Sequence, residues 1–245
     1  MDFVKNYVKS VWRYFVGFAF LFIYLEIALR LVIDGAIKGN NLFFLFFVPS
    51  LSFFFSIFCS FQTNHTLKNS SDYKIANKIV FCFLSFLITL YFLIQLVYFR
   101  VFGSLFSFSF VKMGGEAAGN FSGATLLYIK KSFWQILAML LPLLSFIVLA
   151  CLDEKFLSGK VFGSGKKSED SAIWQKCIFH GITLVLCVVF WFLAVFSIRC
   201  FGNQRGSAFY TYKSSSTDTD TSAERLGAFT TSVIEGRIYF FGNTE

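Results

Sequence analysis

The chain alternates long apolar stretches with short polar ones. Five of the apolar stretches reach the length of a membrane span, and they cover about residues 15–33, 42–61, 78–100, 133–152 and 177–200. An α-helix rises about 1.5 Å per residue, so about 20 apolar residues match the roughly 30 Å hydrocarbon core of a bilayer. The pattern therefore predicts an all-α polytopic membrane protein with five transmembrane helices.

The stretch from Lys78 to Gly123 contains the third predicted span and the segment that follows it, with other predicted spans on either side. It begins as KIVFCFLSFLITLYFLIQLVYF, which carries no charge between Lys78 and Arg100. It continues as RVFGSLFSFSFVKMGGEAAGNF, where glycines and small residues interrupt the apolar run. A span that leads into a Gly-rich but still aromatic segment predicts backbone that folds back against the membrane surface.

Two of the predicted spans contain a proline. Pro49 lies in the second span beside Ser50 and Ser52, and Pro142 lies at the centre of the fourth. A proline inside a helix frees the carbonyl one turn earlier, and in a membrane that carbonyl needs another donor. We therefore expect a kink at Pro49 whose freed carbonyl is bound by a hydroxyl or a neighbouring helix.

Residues 201–245 have a different pattern from the spans, which all lie within residues 1–200. GNQRGSAFYTYKSSSTDTDTSAE is polar and predicts an extended linker. ERLGAFTTSVIEGRIYFFG restores a period near 3.6, carried by Leu226, Phe229, Val233, Arg237 and the pair Phe240 and Phe241. The sequence thus predicts a five-span domain over 1–200, followed by an extracytoplasmic linker with an outer-face amphipathic helix.

Composition agrees with membrane insertion. The chain is 56% hydrophobic and 15% charged, and it contains 37 phenylalanines. Soluble domains carry about 25% charged residues. The net charge of +8 would suggest nucleic acid for a soluble protein, but here lysines and arginines lie beside spans, where they set orientation and meet anionic lipids. We expect membrane lipids as partners and no nucleic acid.

The cysteines predict neither disulfides nor a metal site. They are Cys59, Cys82, Cys151, Cys177, Cys187 and Cys200, and each lies inside or at the end of an apolar run. No CxxC occurs, and neither histidine stands at ligand spacing from them. They are interpreted as small packing residues. The N-terminal apolar stretch is too long for a cleavable signal and is expected to remain as the first span.

Positive charge predicts the orientation of the spans. With the N-terminus inside, the inner segments contain eleven basic residues: Lys5, Lys9, Arg13, Lys68, Lys74, Lys78, Lys155, Lys160, Lys166, Lys167 and Lys176. The outer loops contain six: Arg30, Lys38, Arg100, Lys112, Lys130 and Lys131. Because basic residues are enriched on the cytoplasmic side, we expect a cytoplasmic N-terminus and, after five spans, an extracellular C-terminus.

Glu26 and Arg30 are an intramembrane polar pair one helical turn apart in the first span. Side chains four residues apart share a helix face and can pair. Two interpretations are open: a polar group turned into the helix bundle, or a pair that snorkels to the outer interface. The second is favoured because Arg30 lies only a few residues from the polar loop.

A lipid head-group site is predicted on the outer face. Its candidate cations are Arg100, Lys112, Lys130 and Lys131. If the loop folds back on the membrane, these side chains surround one region, where the Arg100 fork suits two phosphate oxygens. The alternative, which the residues by themselves favour slightly, is a set of ordinary interfacial cations.

Catalytic motifs are absent from the chain. The sequence contains no GxSxG, HExxH, Walker A or GxGxxG pattern, and the hydroxyls from Ser214 to Thr217 have no base beside them. No catalytic residue, metal ligand or cofactor is therefore predicted within this chain.

Three phrases resemble bacterial lipoteichoic acid synthase-like proteins. AERLGAFTTSVIEGRIYFFG is similar to the segment that leads from that family's last span to its sulfatase-like domain. Its matching positions are Arg225, Leu226, Gly227, Thr230, Thr231, Ser232, Arg237, Phe241 and Gly242. YFRVFGSLFSFSFVKMGGEAAGNF resembles the segment after the family's third span. YLEIALRL, with Glu26 and Arg30, resembles the first span of clostridial-type members. The likeness covers nearly the whole chain.

The resemblance implies the membrane-anchoring, lipid-facing domain of a phosphoglycerol transferase in a bacterial cell membrane. In the family, an extracellular domain uses a threonine nucleophile and a divalent metal, usually manganese, to move glycerol phosphate from phosphatidylglycerol onto a growing polymer. No position here matches the catalytic or metal residues of that domain. We expect the chain alone to be inactive, whether it is a truncated gene product, an expressed fragment or a stand-alone relative. Its oligomeric state stays open.

The alternative is a small non-enzymatic membrane protein, either a transporter or an assembly subunit. A transporter more often has polar residues at the midplane or paired broken helices. The span centres here contain Pro49, Gln95 and Pro142 but few ionisable groups, which disfavours transport.

Overall fold

The structure is a computed structural model, and it describes residues 2–35, 39–61, 70–107, 122–152, 169–202, 204, 207–214 and 219–241. The described part of the chain is 91% helix and contains no strands. The prediction of an all-α protein is therefore confirmed for these residues.

The long helices follow the apolar pattern of the sequence. In chain order they are α1 (Asp2–Ile33), a 3₁₀ helix (Gly39–Phe46), α2 (Val48–Phe61), α3 (Ser70–Phe102), α4 (Ser122–Lys131), α5 (Phe133–Leu152), α6 (Glu169–Cys200), α7 (Ala208–Ser214), α8 (Thr219–Leu226) and α9 (Ala228–Phe241).

Three helices are long and apolar enough to cross a membrane. The candidate spans are Val11–Ile33 in α1, Asn77–Phe102 in α3 and His180–Cys200 in α6. A fourth is reached if Thr125–Lys131 and Phe133–Leu149, which are bent by 73°, count as one span. A helical membrane protein is thus supported, but the prediction of five transmembrane helices is wrong for the described residues.

The predicted second span fails because it is not one helix. Residues 42–61 fall partly in the 3₁₀ helix and partly in α2, which has 14 residues and rises about 21 Å, less than the bilayer core. Pro49 is the second residue of α2, where a missing N–H costs little because first-turn N–H groups have no helical acceptor. Pro49 therefore lies in the first turn of a helix instead of kinking one.

Pro142 does lie inside a helix, α5, as predicted. Because Pro142 has no N–H, the carbonyl of Ala138 one turn earlier loses its helical donor. The Tyr24 hydroxyl of α1 donates to that carbonyl at 3.0 Å. A hydroxyl on another helix thus satisfies the freed carbonyl, which is the arrangement that membrane helices with prolines require.

Residue contacts divide the chain into two compact units. The first comprises Met1–Phe22, Val48–Ile88 and Leu141–Phe192, and the second comprises Ile23–Phe47, Thr89–Leu140 and Leu193–Glu245. The core of the first unit is aromatic: the fully buried Phe18 has its ring centroid 5.0 Å from Phe81 and 5.6 Å from Phe55. A Cβ at Gly17 would lie 2.9 Å from the Phe81 ring, so glycine permits this packing.

The second unit contains residues 201–245, which we call the tail, as well as segments of the long helices. Its fully buried side chains include Leu25, Phe92, Leu96 and Leu226, and the Phe92 ring stacks on Phe229 of α9 at 6.5 Å. The prediction of an extended linker after the last span is wrong for residues 208–214, which form α7, and for residues 219–224, which belong to α8. These helices form because they bury side chains against the rest of the second unit, among them Thr211 of α7 and Leu226 of α8.

Candidate functional site

Glu26 and Arg30 form a buried ion pair in the second unit. The Arg30 Nε donates to Glu26 Oε1 at 3.2 Å, and Arg30 Nη2 lies 3.2 Å from the same oxygen. Both residues are less than 5% exposed. The interpretation that this pair snorkels to the interface is therefore wrong. The geometry matches the other interpretation, a polar group turned inward.

Arg30 binds the end of helix α8. Its Nη1 donates to the Glu224 carbonyl at 2.7 Å and its Nη2 donates to the Ala223 carbonyl at 3.1 Å. The last carbonyls of a helix have no partner within the helix and form the negative end of its dipole. The planar guanidinium can bind two such oxygens at once. Its carbon atom also lies 4.8 Å from the centroid of the Phe44 ring, a cation–π distance.

Glu26 binds the start of helix α9. Its two carboxylate oxygens accept from the Ala228 N–H at 2.9 and 3.2 Å. Ala228 is the first residue of α9, and the first N–H groups of a helix are unpaired donors at its positive end. The two charges of the ion pair therefore each face the helix end of opposite polarity.

Between α8 and α9 lies Gly227, and we call the junction Leu226–Gly227–Ala228 the elbow. Gly227 has φ +95°, a left-handed conformation that glycine adopts without a Cβ penalty. A Cβ at this position would lie 2.9 Å from the Phe44 Cβ and 3.3 Å from the Glu26 Cδ. The elbow thus needs glycine both for its backbone angle and for the close approach of two side chains.

Gln95 fixes the turn that follows α3. Its side-chain amide is 1% exposed; the oxygen accepts from the Phe106 N–H at 2.9 Å and the nitrogen donates to the Phe106 carbonyl at 3.2 Å. This two-way bond resembles the pairing between two strands. The Gln95 amide also donates to the Tyr91 hydroxyl at 2.9 Å. This polar residue at the centre of a predicted span therefore binds two other parts of the structure.

Tyr91 and Asp220 connect this turn to the tail. The Tyr91 hydroxyl donates to the Ala228 carbonyl at 2.8 Å and lies 2.6 Å from the Ser232 hydroxyl. The Leu105 N–H donates to the Asp220 carboxylate at 2.7 Å. Helices α8 and α9 are therefore bound to α1, to α3 and to the turn after α3.

Helix α9 packs with its hydroxyl-bearing face inward. Its buried side chains include Thr230, Thr231, Ser232 and Glu235, whereas Val233, Phe240 and Phe241 are exposed. The predicted helix is present, but the face that packs within the second unit carries these polar side chains together with the apolar Phe229 and Ile234. Small hydroxyl residues allow close approach of helices in membrane proteins and supply hydrogen bonds between them. That the exposed face lies on the outer leaflet stays a prediction.

A cavity of about 180 Å³ lies beside the ion pair. Its charged lining residues are Glu26, Arg30, Asp34, Asp220 and Glu224, and its apolar wall includes Leu29, Ile33, Phe99 and Leu105. Among the described residues, no three or more histidine, cysteine or acidic side chains are grouped so that they could hold a metal ion.

The predicted head-group cations lie at two helix ends of the second unit. Arg100 is in the last turn of α3, and Lys130 and Lys131 are in the last turn of α4. The two lysines are exposed, whereas the Arg100 Nε is buried and has no hydrogen-bond partner among the described residues. Lys112 lies outside the described residues. The head-group site stays a prediction.

Sequence reasoning missed the residues that the ion pair binds. Ala223, Glu224 and Ala228 contribute backbone atoms, which leave no signal in side-chain composition. The sequence does contain one signal for a helix end at this place, Gly227 after Leu226, because glycine after an apolar residue commonly ends a helix. That rule places a helix end at Leu226 and so divides the predicted amphipathic helix at the junction between α8 and α9.

Comparison with known proteins finds no match for this chain among protein-family models, curated proteins or solved structures.

Proposed function

We propose that this chain is the membrane-anchoring, lipid-facing domain of a lipoteichoic acid synthase-like phosphoglycerol transferase of the bacterial cell membrane. The observation that carries the proposal is that residues of its three family-like phrases meet in one unit. In the phrase YLEIALRL, Arg30 binds the Glu224 carbonyl and Glu26 binds the Ala228 N–H of the phrase AERLGAFTTSVIEGRIYFFG, which is the third in chain order. Phe106 of the second is linked through Gln95 and Tyr91 to Ser232 of the third. Sequence segments whose residues bind one another in this way are expected to occur together in the proteins of one family.

The proposed orientation has a cytoplasmic N-terminus and an extracellular C-terminus. Its support is the excess of basic residues in the segments assigned to the inside. It requires residues 39–61 to return the chain across the membrane. The 3₁₀ helix and α2 together contain enough residues to extend about 37 Å when laid end to end. This orientation puts the carboxyl ends of α1, α3 and α6 on the outer side.

The proposed ligand of the outer face is phosphatidylglycerol, the donor lipid that the resemblance implies. The buried Arg100 Nε without a partner among the described residues is a donor that a phosphate oxygen would satisfy, and a hydrogen bond to a charged group is strong. Trp134, which is 77% exposed at the start of α5, suits the interface between head groups and acyl chains. Lys130 and Lys131 add positive charge at the end of α4.

The described residues do not fit the manganese that the resemblance implies. The described residues offer no group of three or more metal-ligating side chains, and no catalytic step is assigned to them. In the proposed function this chain anchors the enzyme and holds donor lipid, while the chemistry belongs to a sulfatase-like domain. The purified chain is expected to release no diacylglycerol from phosphatidylglycerol, with or without manganese.

Native mass spectrometry tests the lipid proposal. The purified chain is loaded with equal amounts of phosphatidylglycerol and phosphatidylethanolamine, and lipid retention is compared for the native chain and Arg100→Ala. We expect the native chain to retain phosphatidylglycerol preferentially and Arg100→Ala to lose about tenfold in retention.

Lys213→Ala is the matched control, because it removes an exposed tail cation outside the proposed site. Equal retention of phosphatidylglycerol by the native chain and Arg100→Ala would leave Arg100 as a membrane anchor and would overturn the lipid site. Solute flux through proteoliposomes of the native chain would instead favour the transporter alternative.

A further inference from the structure

The ion pair of α1 occupies the place of a missing helical hydrogen bond. In an uninterrupted α-helix the Ala228 N–H would donate to the Glu224 carbonyl, since the two residues are four apart. Here the Ala228 N–H donates to Glu26 and the Glu224 carbonyl accepts from Arg30. Each half of the interrupted bond is thus bound by one member of the pair.

The interruption brings distant parts of the tail together. The Thr219 hydroxyl at the start of α8 donates to the Glu235 carboxylate in the middle of α9 at 2.5 Å. In one straight helix these two residues would be about 24 Å apart along the axis. The contact between Thr219 and Glu235 therefore reports the bent form of the tail.

The same residues have an obvious second arrangement. Without the pair, the Ala228 N–H and the Glu224 carbonyl can bond to each other, and Gly227 can take helical φ and ψ. Helices α8 and α9 then become one helix over residues 219–241. An element with two discrete arrangements, biased by a local charge contact, is the kind of device that switches protein conformations.

We propose that Glu26 and Arg30 are positioning residues that hold the tail bent at Gly227, and that loss of their contacts converts α8 and α9 into a single straight helix. The pair thereby sets the direction of α9 and the place where the chain leaves it. This inference rests on the contacts at the elbow and does not depend on which lipid the protein binds.

Cross-linking within the full chain tests the proposal. Thr219→Cys and Glu235→Cys are introduced together, and a short thiol-to-thiol cross-linker is added to the protein in detergent. Trypsin then cleaves after Arg225, between the two positions, so that only cross-linked molecules yield the joined peptides in mass spectrometry. The bent form is linked, and the straight form is too long for the reagent.

Three further substitutions are each added to this reporter. Arg30→Met removes the guanidinium, and we expect linking to fall at least about tenfold. Gly227→Ala leaves the ion pair in place but opposes the bent form, because alanine is strained at φ +95° and its Cβ would approach Phe44 to 2.9 Å. It should lower linking as well. Glu224→Gln is the matched control, because Arg30 binds the Glu224 backbone and not its side chain.

Loss of linking in Arg30→Met and Gly227→Ala, with parental linking in Glu224→Gln, supports the proposal. Parental linking in both of the first two variants would overturn it. So would an equal loss in the control or an unlinked parent. If Arg30→Met fails to fold, as judged by gel filtration in detergent, the double variant Glu26→Gln with Arg30→Met, which leaves no lone buried charge, takes its place.

Discussion

The Arg30 guanidinium and the Glu224 carbonyl lie 2.7 Å apart although 194 positions separate them in the chain. The contact joins the first helix to the last turn of α8. Since Glu26, one turn before Arg30, binds the first N–H of α9, two neighbouring side chains of one helix bind two helix ends. The first predicted span is therefore also the support of the tail.

The stability of the second unit should depend on whether each buried charge of the Glu26–Arg30 pair keeps its counter-ion. Arg30→Met leaves the Glu26 carboxylate buried without its counter-ion, and breaking a buried pair in this way costs about 3–5 kcal/mol. We expect the free energy of unfolding in detergent to fall by about that amount. The double variant Glu26→Gln with Arg30→Met should be less destabilised, because no lone charge remains and the Gln oxygen can still accept from Ala228.

Chemical denaturation of the native chain, both single variants and the double variant gives the coupling energy of the pair. Strictly additive effects of the two substitutions would contradict the direct contact seen at 3.2 Å.

Gln95 should stabilise the turn after α3 through its two bonds to Phe106. Gln95→Leu keeps the side-chain size but removes both bonds, and we expect a loss of about 1–3 kcal/mol in the free energy of unfolding. Amide exchange at Phe106 should accelerate, since its N–H bond to Gln95 is lost. Ile94→Ala is the control, because that neighbouring side chain is 49% exposed. Unchanged exchange at Phe106 in Gln95→Leu would argue against a role for this amide.

The orientation can be checked by labelling engineered cysteines in intact cells with a membrane-impermeant maleimide. Ser70→Cys should be protected and Ser215→Cys should be labelled, in each case above the background of the parent chain. Both should react after the cells are permeabilised.

Ser70 decides whether residues 39–61 return the chain across the membrane. If residues 39–61 stay on the outer side, no membrane crossing separates Ser70 from the outer end of the first span, and Ser70 faces outside. Labelling of Ser70→Cys in intact cells would therefore contradict the proposed orientation, as would protection of Ser215→Cys.

The sequence by itself determined that the chain is helical and that several helices are long and apolar enough to cross a membrane, because continuous apolar runs are a local property. It located α1, α3 and α6, and it placed Glu26 and Arg30 on one face, since helical spacing is a local property. The same local pattern could not show that residues 42–61 break into a 3₁₀ helix and α2. Both conformations accept the same apolar residues, and Pro49 fits the first turn of a helix as well as a kink.

The tertiary structure decided where the polar groups of the span interiors find their partners. The orientation of α9 was unpredictable from its period because its threonines and Ser232 turn inward, where the Tyr91 hydroxyl meets Ser232 and the Ala228 carbonyl. The inward direction of Arg30 depended on backbone carbonyls of α8 almost 200 residues away. The carbonyl groups that accept these bonds belong to the backbone, which every residue has, so composition and spacing do not show which carbonyls Arg30 and Tyr91 bind. Only the folded chain brings an interrupted helix and a charge pair to the same place.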